Sequence, residues 1–484
     1  MARIRIIVTA AAFIAGAFVA PHAQQDDLLS RKTAIRLALR TAEFDQALVA
    51  AERLKIDAPA DPEAIALYGD ALWGSGLFDE AEQTYHDALA RAPEFHRARY
   101  GVARALATRS RLTDALGEVR AALASAPDDW DVHALGGSVY ERLARYDEAA
   151  DEYERYAALV PAEDPLPAQT ALARAMFLRS FKGKTPLSMR PKDAATLHVA
   201  PFKLIKNKII VQGRINGTRV DWVLDTGAER TGISTETAMR TGVRPVATTL
   251  TAGVGTPRLR QVMLARIDLL EVGPLKVRNV PVSIRNPVLG GAPRWQGESL
   301  SPLALGMSTV VDYARRRVTF ARSLGDSNAS NVSNASDHPN DPNDPDAPNG
   351  RPHGNVRLPM RFHRLAMVRG VLNARHPAYF VVDTGGELIS ISAETADALD
   401  MHPPRKIPLR VFGLSGLDEG AFLLPGIDLD FDAIGYRKVG LAVLNLRAPS
   451  VLLGFRVGGI VGHKFLGEYR VTMDVDRSEL RLER

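Results

Sequence analysis

Between residues 28 and 161 the apolar positions recur at helical spacing, and the pattern repeats every 34 residues. Phe44-Asp45-Gln46-Ala47, Phe78-Asp79-Glu80-Ala81, Leu112-Thr113-Asp114-Ala115 and Tyr146-Asp147-Glu148-Ala149 hold matching places. Four residues after each Ala comes Ala51, Tyr85, Val119 or Tyr153, and Pro59, Pro93, Pro127 or Pro161 closes the unit. Two helical stripes per unit predict paired helices. Proline stops the second of each pair because it lacks an amide hydrogen and clashes with the preceding turn. A last amphipathic stretch, Pro167–Phe181, predicts a helix that covers the open end. From about Leu197 the period changes to two: short β-branched runs bounded by Gly, Asn and Pro predict strands of an all-β region. Residues 323–355 carry neither period. There 25 of 33 residues are Asn, Asp, Pro, Ser or Gly, too little apolar surface to offset the entropy of ordering, so the stretch reads as a flexible linker.

A 34-residue unit of two helices resembles the tetratricopeptide repeat, and residues 28–181 are identified as such an array with its capping helix. Small residues such as Ala81 and Ala115 allow close helix pairing, and the large positions fill the gaps. The resemblance implies a concave groove that holds a peptide or protein partner. Packing of the array on its own C-terminal region is the other reading, and the sequence leaves both open.

The β-type region repeats as well, at an offset of 158. Asp225-Thr226-Gly227 returns as Asp383-Thr384-Gly385, Glu229 as Glu387, Ile233-Ser234 as Ile391-Ser392, and Pro245 as Pro403. Val311-Asp312-Tyr313-Ala314-Arg315 answers Met473-Asp474-Val475-Asp476-Arg477. Two modules follow, at 197–322 and 356–484, each long enough for one small core. The expected fold is a helical solenoid followed by two all-β lobes.

Composition narrows the chemistry. The chain of 484 residues has no cysteine, which removes disulfides, thiolate metal sites and cysteine nucleophiles. Its formal charge of +5 is too thin a surplus to argue for nucleic acid. The basic start at Arg3 and Arg5, the uncharged run Ile6–Ala20 and the small residues before Gln24 form a secretory leader, expected over 1–23 with the mature protein periplasmic or secreted. An uncleaved anchor is the alternative for this segment. Nothing later is apolar for long enough to span a membrane. There is no Gly-x-Ser-x-Gly elbow, no His-Glu-x-x-His pair and no phosphate loop, so no metal or cofactor is expected. His198, His353 and His463 read as surface or turn residues.

What remains is the duplicated Asp-Thr-Gly, each copy behind an apolar strand (Trp222-Val223-Leu224 and Tyr379-Phe380-Val381-Val382). One copy alone would read as a turn with an Asp cap. Two copies at matching depth supply two carboxyls. At hydrogen-bond distance both cannot ionise comfortably, so the pair holds an acid and a base at once. These segments resemble the retropepsin-like aspartic proteases, in particular bacterial members with two modules in one chain. The resemblance implies that Asp225 and Asp383 form the catalytic dyad. It implies that Thr226, Gly227, Thr384 and Gly385 lock the loops, and that Glu229 and Glu387 hold the substrate backbone. It also implies flaps at Ala252-Gly253-Val254-Gly255 and Phe412-Gly413-Leu414-Ser415-Gly416, which could equally be plain hairpin turns. Toward the module ends, Ile460-Val461-Gly462 fits the segment that braces the Asp loop. In the first module Ser299-Leu300-Ser301-Pro302 and Leu305-Gly306 compete for that place. With Ala228 and Gly386 after the glycines, no hydroxyl stabilises the ionised pair, and a mild acid optimum is expected. The function implied is peptide-bond hydrolysis, with the repeats recruiting a protein substrate or partner. An inactive, protease-like adaptor is the second reading.

Overall fold

The computed structural model describes residues 21–162, 165–255, 258–285, 297–325, 355–401 and 406–484. Most of the expected leader and linker, with His353 and Pro403, lies outside the described residues.

The helical region is α1 (Pro21–Arg40), α2 (Phe44–Asp57), α3 (Pro62–Gly74), α4 (Phe78–Arg91), α5 (His96–Thr108), α6 (Leu112–Ser125), α7 (Trp130–Arg142), α8 (Tyr146–Leu159) and α9 (Pro165–Arg179). The second helix of each pair starts on the 34-residue beat. Asp61 and Asp129 cap α3 and α7 through the amides two residues on, at 2.9 and 3.0 Å. Close pairing has a residue-level cause at Tyr85. Its buried ring fills the space that a Cβ on Gly69 or on Gly101 would need, so α3, α4 and α5 pack through it. The phenol donates to Asp70 at 2.8 Å, and Arg97 and Arg104 pair that buried carboxylate at 2.8 and 2.9 Å. No helix among the described residues is long and apolar enough to cross a membrane.

Each β module is built on two hairpins. In the first, Lys208–Ile215 pairs Thr218–Leu224, and Arg260–Val272 pairs Leu275–Ile284. In the second, Leu365–Leu372 pairs His376–Val382, and Phe422–Phe431 pairs Ile434–Leu444. The tight turn between the first two strands takes positive φ at Asn216 and Gly217, and its counterpart at Asn373 and Ala374. Asparagine adopts that conformation at low cost, whereas Ala374 does so under strain.

The two modules are joined by one antiparallel sheet. It runs His198–Ile205, Arg317–Ala321, Ser308–Asp312, Arg470–Asp474, Glu479–Glu483, Val356–His363. At its centre Thr309, Val310 and Val311 face Met473, Thr472 and Val471. This register is symmetric about a twofold axis through the Val310–Thr472 pair. A single apolar core, including Trp222, Leu224, Phe320, Phe380, Val382 and Phe465, runs through both modules beneath it. His198, read as a surface or turn residue, is instead the buried first residue of a strand, where this sheet meets the preceding turn, and its Nε2 contacts the Asp193 carbonyl at 2.7 Å.

Candidate active site

Each Asp leaves the end of an apolar strand that a second, parallel strand braces. Val223 and Leu224 pair with Ser299 and Leu300, and Val381 and Val382 with Ile460 and Val461. The Asp225 amide donates to the Leu300 carbonyl at 2.9 Å, and the Asp383 amide to Val461 at 3.0 Å. Ser299–Pro302 is therefore the bracing segment of the first module, and Ser301 stands where the second has Gly462. In the second module His463 N–H donates to the Gly386 carbonyl at 2.9 Å. In the first, the Ser301 hydroxyl makes the matching bond to Ala228 at 2.7 Å. The side chain thus supplies a brace that backbone supplies in the other half.

The two loops interlock across the twofold axis. Thr226 N–H donates to Thr384 Oγ1 at 3.1 Å and Thr384 N–H to Thr226 Oγ1 at 3.0 Å. The two hydroxyls donate onward to the Val382 and Leu224 carbonyls at 2.7 and 2.9 Å. Both threonines are fully buried. Gly227 presses against the Asp383 carboxyl, and a Cβ on Gly385 would lie 2.8 Å from Asp225 Cγ. Only glycine leaves room for the two acids to meet.

The carboxyls of Asp225 and Asp383 face each other within the one chain, both against Gly385, close enough to share a proton. Burial, and then the charge of Asp383, push Asp225 well above the usual carboxylate range. Burial raises Asp383 too, but amide donation from Gly385 (2.7 Å) and Gly386, with the Lys208 ammonium nearby, favours its ionised form. The two titrations are coupled, so the raised affinity belongs to the pair: one proton is shared between the carboxyls, with the Gly385 and Gly386 amides donating on the Asp383 side. Arg285 and Lys208 both lower Asp225's affinity for that proton, without outweighing burial.

Above the acids lies a cavity of about 670 Å³. Its roof is made by the two glycine-bearing tips, which meet each other. Ser415 N–H donates to the Val254 carbonyl at 3.0 Å, Gly253 N–H to Ser415 Oγ at 3.1 Å, and Arg260 to the Leu414 carbonyl at 2.6 Å. Gly255 abuts the Gly416 backbone with a positive φ, and a side chain on Gly413 would collide with Val254. The tips are paired over a cleft, which is more than two independent turns. Ser415, between its glycines, ties them together.

Glu229 and Glu387 both line the cleft. Glu387 is half-exposed, 3.6 Å from Lys208, which also donates to the Gly385 carbonyl. Glu229 sits 3.1 Å from Arg230 and 3.8 Å from Arg364. Burial works to raise its pKa, but Arg364, Arg230 and Arg174 outweigh burial and pull it down to about 2. Through Arg230 and Arg174 this carboxylate is linked to Glu141 at the end of α7.

That link belongs to a longer contact. The turns between paired helices touch the second module one after another. Arg447 meets Glu43 (2.7 Å), Arg456 meets Asp45 (2.6 Å), and Arg361 meets Asp79, Glu82 and Thr108. Phe78 stacks against Tyr379 and Phe455. The array therefore packs on its own β region by its turn edge. The same apolar cluster reaches Val254 in the roof. Arg285 and Lys208 are not singled out by the sequence pattern, because their place at the site depends on a strand register that spacing alone does not encode; Ser301 and the docking of the array were each one of two readings that the sequence left open.

Comparison with known proteins agrees with this architecture. Residues 211–309 match the aspartyl protease family model, and residues 67–129 and 114–164 match that of the tetratricopeptide repeat. The chain thus carries an aspartyl protease domain and, before it, a tetratricopeptide solenoid. The protease match contains Asp225. Asp383 lies beyond it and is related by the twofold symmetry. No curated protein matches the chain. Among solved structures, a thermophilic tetratricopeptide protein of Thermus thermophilus is 23% identical, with 32% of this chain and 84% of that one covered and a TM-score of 0.28. MamA from Desulfovibrio magneticus RS-1, residues 41 to the end, is 21% identical over 33% and 88%, with a TM-score of 0.25.

Proposed function

We propose that the chain is an aspartic endopeptidase that acts in the periplasm or outside the cell, with Asp225 and Asp383 as its dyad. The observation that carries the reading is the contact between these two carboxyls at the floor of a roofed cleft. In this reading a water lies between the acids and a peptide carbonyl. Asp383 takes a proton from the water as its oxygen bonds to the carbonyl carbon, and Asp225 gives its proton to the carbonyl oxygen. The tetrahedral diol then collapses: the C–N bond breaks, the nitrogen takes up a proton, and the dyad returns to one shared proton. The paired tips would part for substrate and close over it, which keeps bulk water from the developing charge.

The array has a second task in this proposal. It rests on the second module and reaches the roof through Val254, so a protein held along its helices would lie beside the cleft. The test is purified chain on a mixed peptide library, with and without a statine-type inhibitor that mimics the diol. Cleavage that the inhibitor blocks, and that Asp225→Asn and Asp383→Asn each abolish, is expected. Binding of protein partners with no cleavage by the unmodified chain would instead favour the adaptor.

A further inference from the structure

The twofold axis makes the two walls of the cleft comparable residue by residue, and they differ in chemistry. Gly232 pairs with Ser283 and Ile233 with Ile284 in the first module; Ser390 pairs with Ala442 and Ile391 with Val443 in the second. One step further along, Arg285 is the equivalent of Leu444. By the strands that brace the Asp loops, Ser299 is likewise the equivalent of Ile460. All of these side chains except Gly232, Ile233, Ile284, Ile391, Ala442 and Val443 line the cavity. At the matched positions the second wall offers Leu444 and Ile460 beside Ser390 and continues into Leu446 and Leu453, with the exposed Arg410 also on this side, whereas the first places a guanidinium among serines.

The Arg285 side chain is largely enclosed and, among the described residues, donates one hydrogen bond, to Ser299 Oγ at 2.6 Å. No carboxylate among the described residues lies within ion-pair distance of it. The charges it faces are Asp225, Glu298 and Arg260. Glu298 is turned to other work: it accepts from Ser234 N–H and Oγ at 3.0 and 2.7 Å and from Thr237 Oγ1 at 2.6 Å, where the helix Thr235–Thr241 begins. Gly232 is what makes room, since a Cβ there would lie 2.8 Å from Arg285 Nε. Taking a cation out of water without a partner is unfavourable, and an anionic group delivered to it offsets that cost.

We infer that the cleft is polarised: the Arg285 side binds an acidic side chain of the substrate and the Leu444–Ile460 side a bulky aliphatic one, at symmetric positions about the scissile bond. The inference rests on the proteolytic reading and adds a substrate class to it.

The test uses peptides with Leu and Glu at symmetric positions about a central bond, in both orders, and the same peptides with Gln for Glu. Cleavage by the full chain is compared with that by Arg285→Gln and Arg285→Lys at about pH 6, where glutamate is ionised. In one order the Glu peptide should exceed the Gln peptide in kcat/KM by about tenfold, the size expected for a charge-assisted bond. Arg285→Gln should bring the ratio near one, and Arg285→Lys should keep part of it. The ratio cancels any change the substitution makes to the dyad itself. Calorimetric binding of the same peptides to Asp383→Asn reads the preference without turnover, so failure of proteolysis and failure of the pocket are separable. Equal handling of Glu and Gln peptides in both measurements, or a preference that survives Arg285→Gln, would overturn the inference.

Discussion

At the scale of the residue, the site depends on four hydrogen bonds and two missing side chains. Thr226 and Thr384 each satisfy one another's buried amide and a carbonyl of the opposite strand. Replacing Thr226 with Val keeps the volume but leaves the Thr384 amide and the Val382 carbonyl without partners, at about 1–3 kcal/mol per buried group. Thr226→Val should therefore lower unfolding free energy in denaturant titrations and depress activity, and Thr226→Ser should restore most of both. Equal stability of the Val variant would mean that the grip contributes little. The two Asp-Thr-Gly segments are plain in the sequence because duplication made them so. Arg285 and Lys208 are not, because their nearness to the acids follows from strand register. Comparing Arg285 with Leu444 requires knowing that Ile284 and Val443 hold the same rung.

At the scale of the element, helix pairing was legible from the 34-residue beat and the strands from alternation, since burial imposes each period directly. The expected capping helix over 167–181 appears as α9 at Pro165–Arg179. Its role was less legible: α9 packs on the strand Pro245–Thr251, with Phe177 and Leu178 in one cluster with Ala247 and Leu264. The roof tests the flap assignment. Gly255 has φ +126° and faces the Gly416 backbone, where no side chain fits. Gly255→Val should cut kcat/KM for long peptides by more than its loss of stability accounts for, read as activity per folded molecule, because the clash falls where the two tips pair over the cleft. A large loss of stability with activity per folded molecule unchanged would make them simple turns.

At the scale of the whole molecule, the array and the β modules are one structure, and their contact is charged. Burial opposes ionisation of Asp79, yet Arg361 outweighs it and holds the carboxyl below its usual range. His363 lies in the same region. Burial, then Arg364, Arg142 and Arg104, lower its pKa from 6.5 to about 3, with Glu229 opposing. A base whose folded pKa is depressed binds its proton more readily when unfolded. Its contribution to stability is thus complete above pH 6.5 and is lost as pH falls toward 3. Glu229, depressed to about 2, adds a loss of the same sign below its usual 4.5. The raised dyad acts oppositely, favouring folding at low pH. Between about pH 6.5 and 4 the two effects oppose, so the test is a difference: the unfolding free energy of the native chain relative to that of His363→Gln should fall as pH drops below 6.5. A difference that stays constant would remove His363 from the account. The docking itself was one of two readings the sequence allowed, because the residues that make it are ordinary Asp, Glu and Arg on helix turns.

The central claim is that one chain supplies both acids to one cleft. It is tested most directly by initial cleavage rates for Asp225→Asn, Asp383→Asn and an equimolar mixture of the two. Each variant should lose about 10²–10⁴-fold in rate, and the mixture should regain nothing, since no active pair can form between inactive chains. Substantial cleavage by either variant alone, or recovery on mixing, would contradict a dyad shared within the chain.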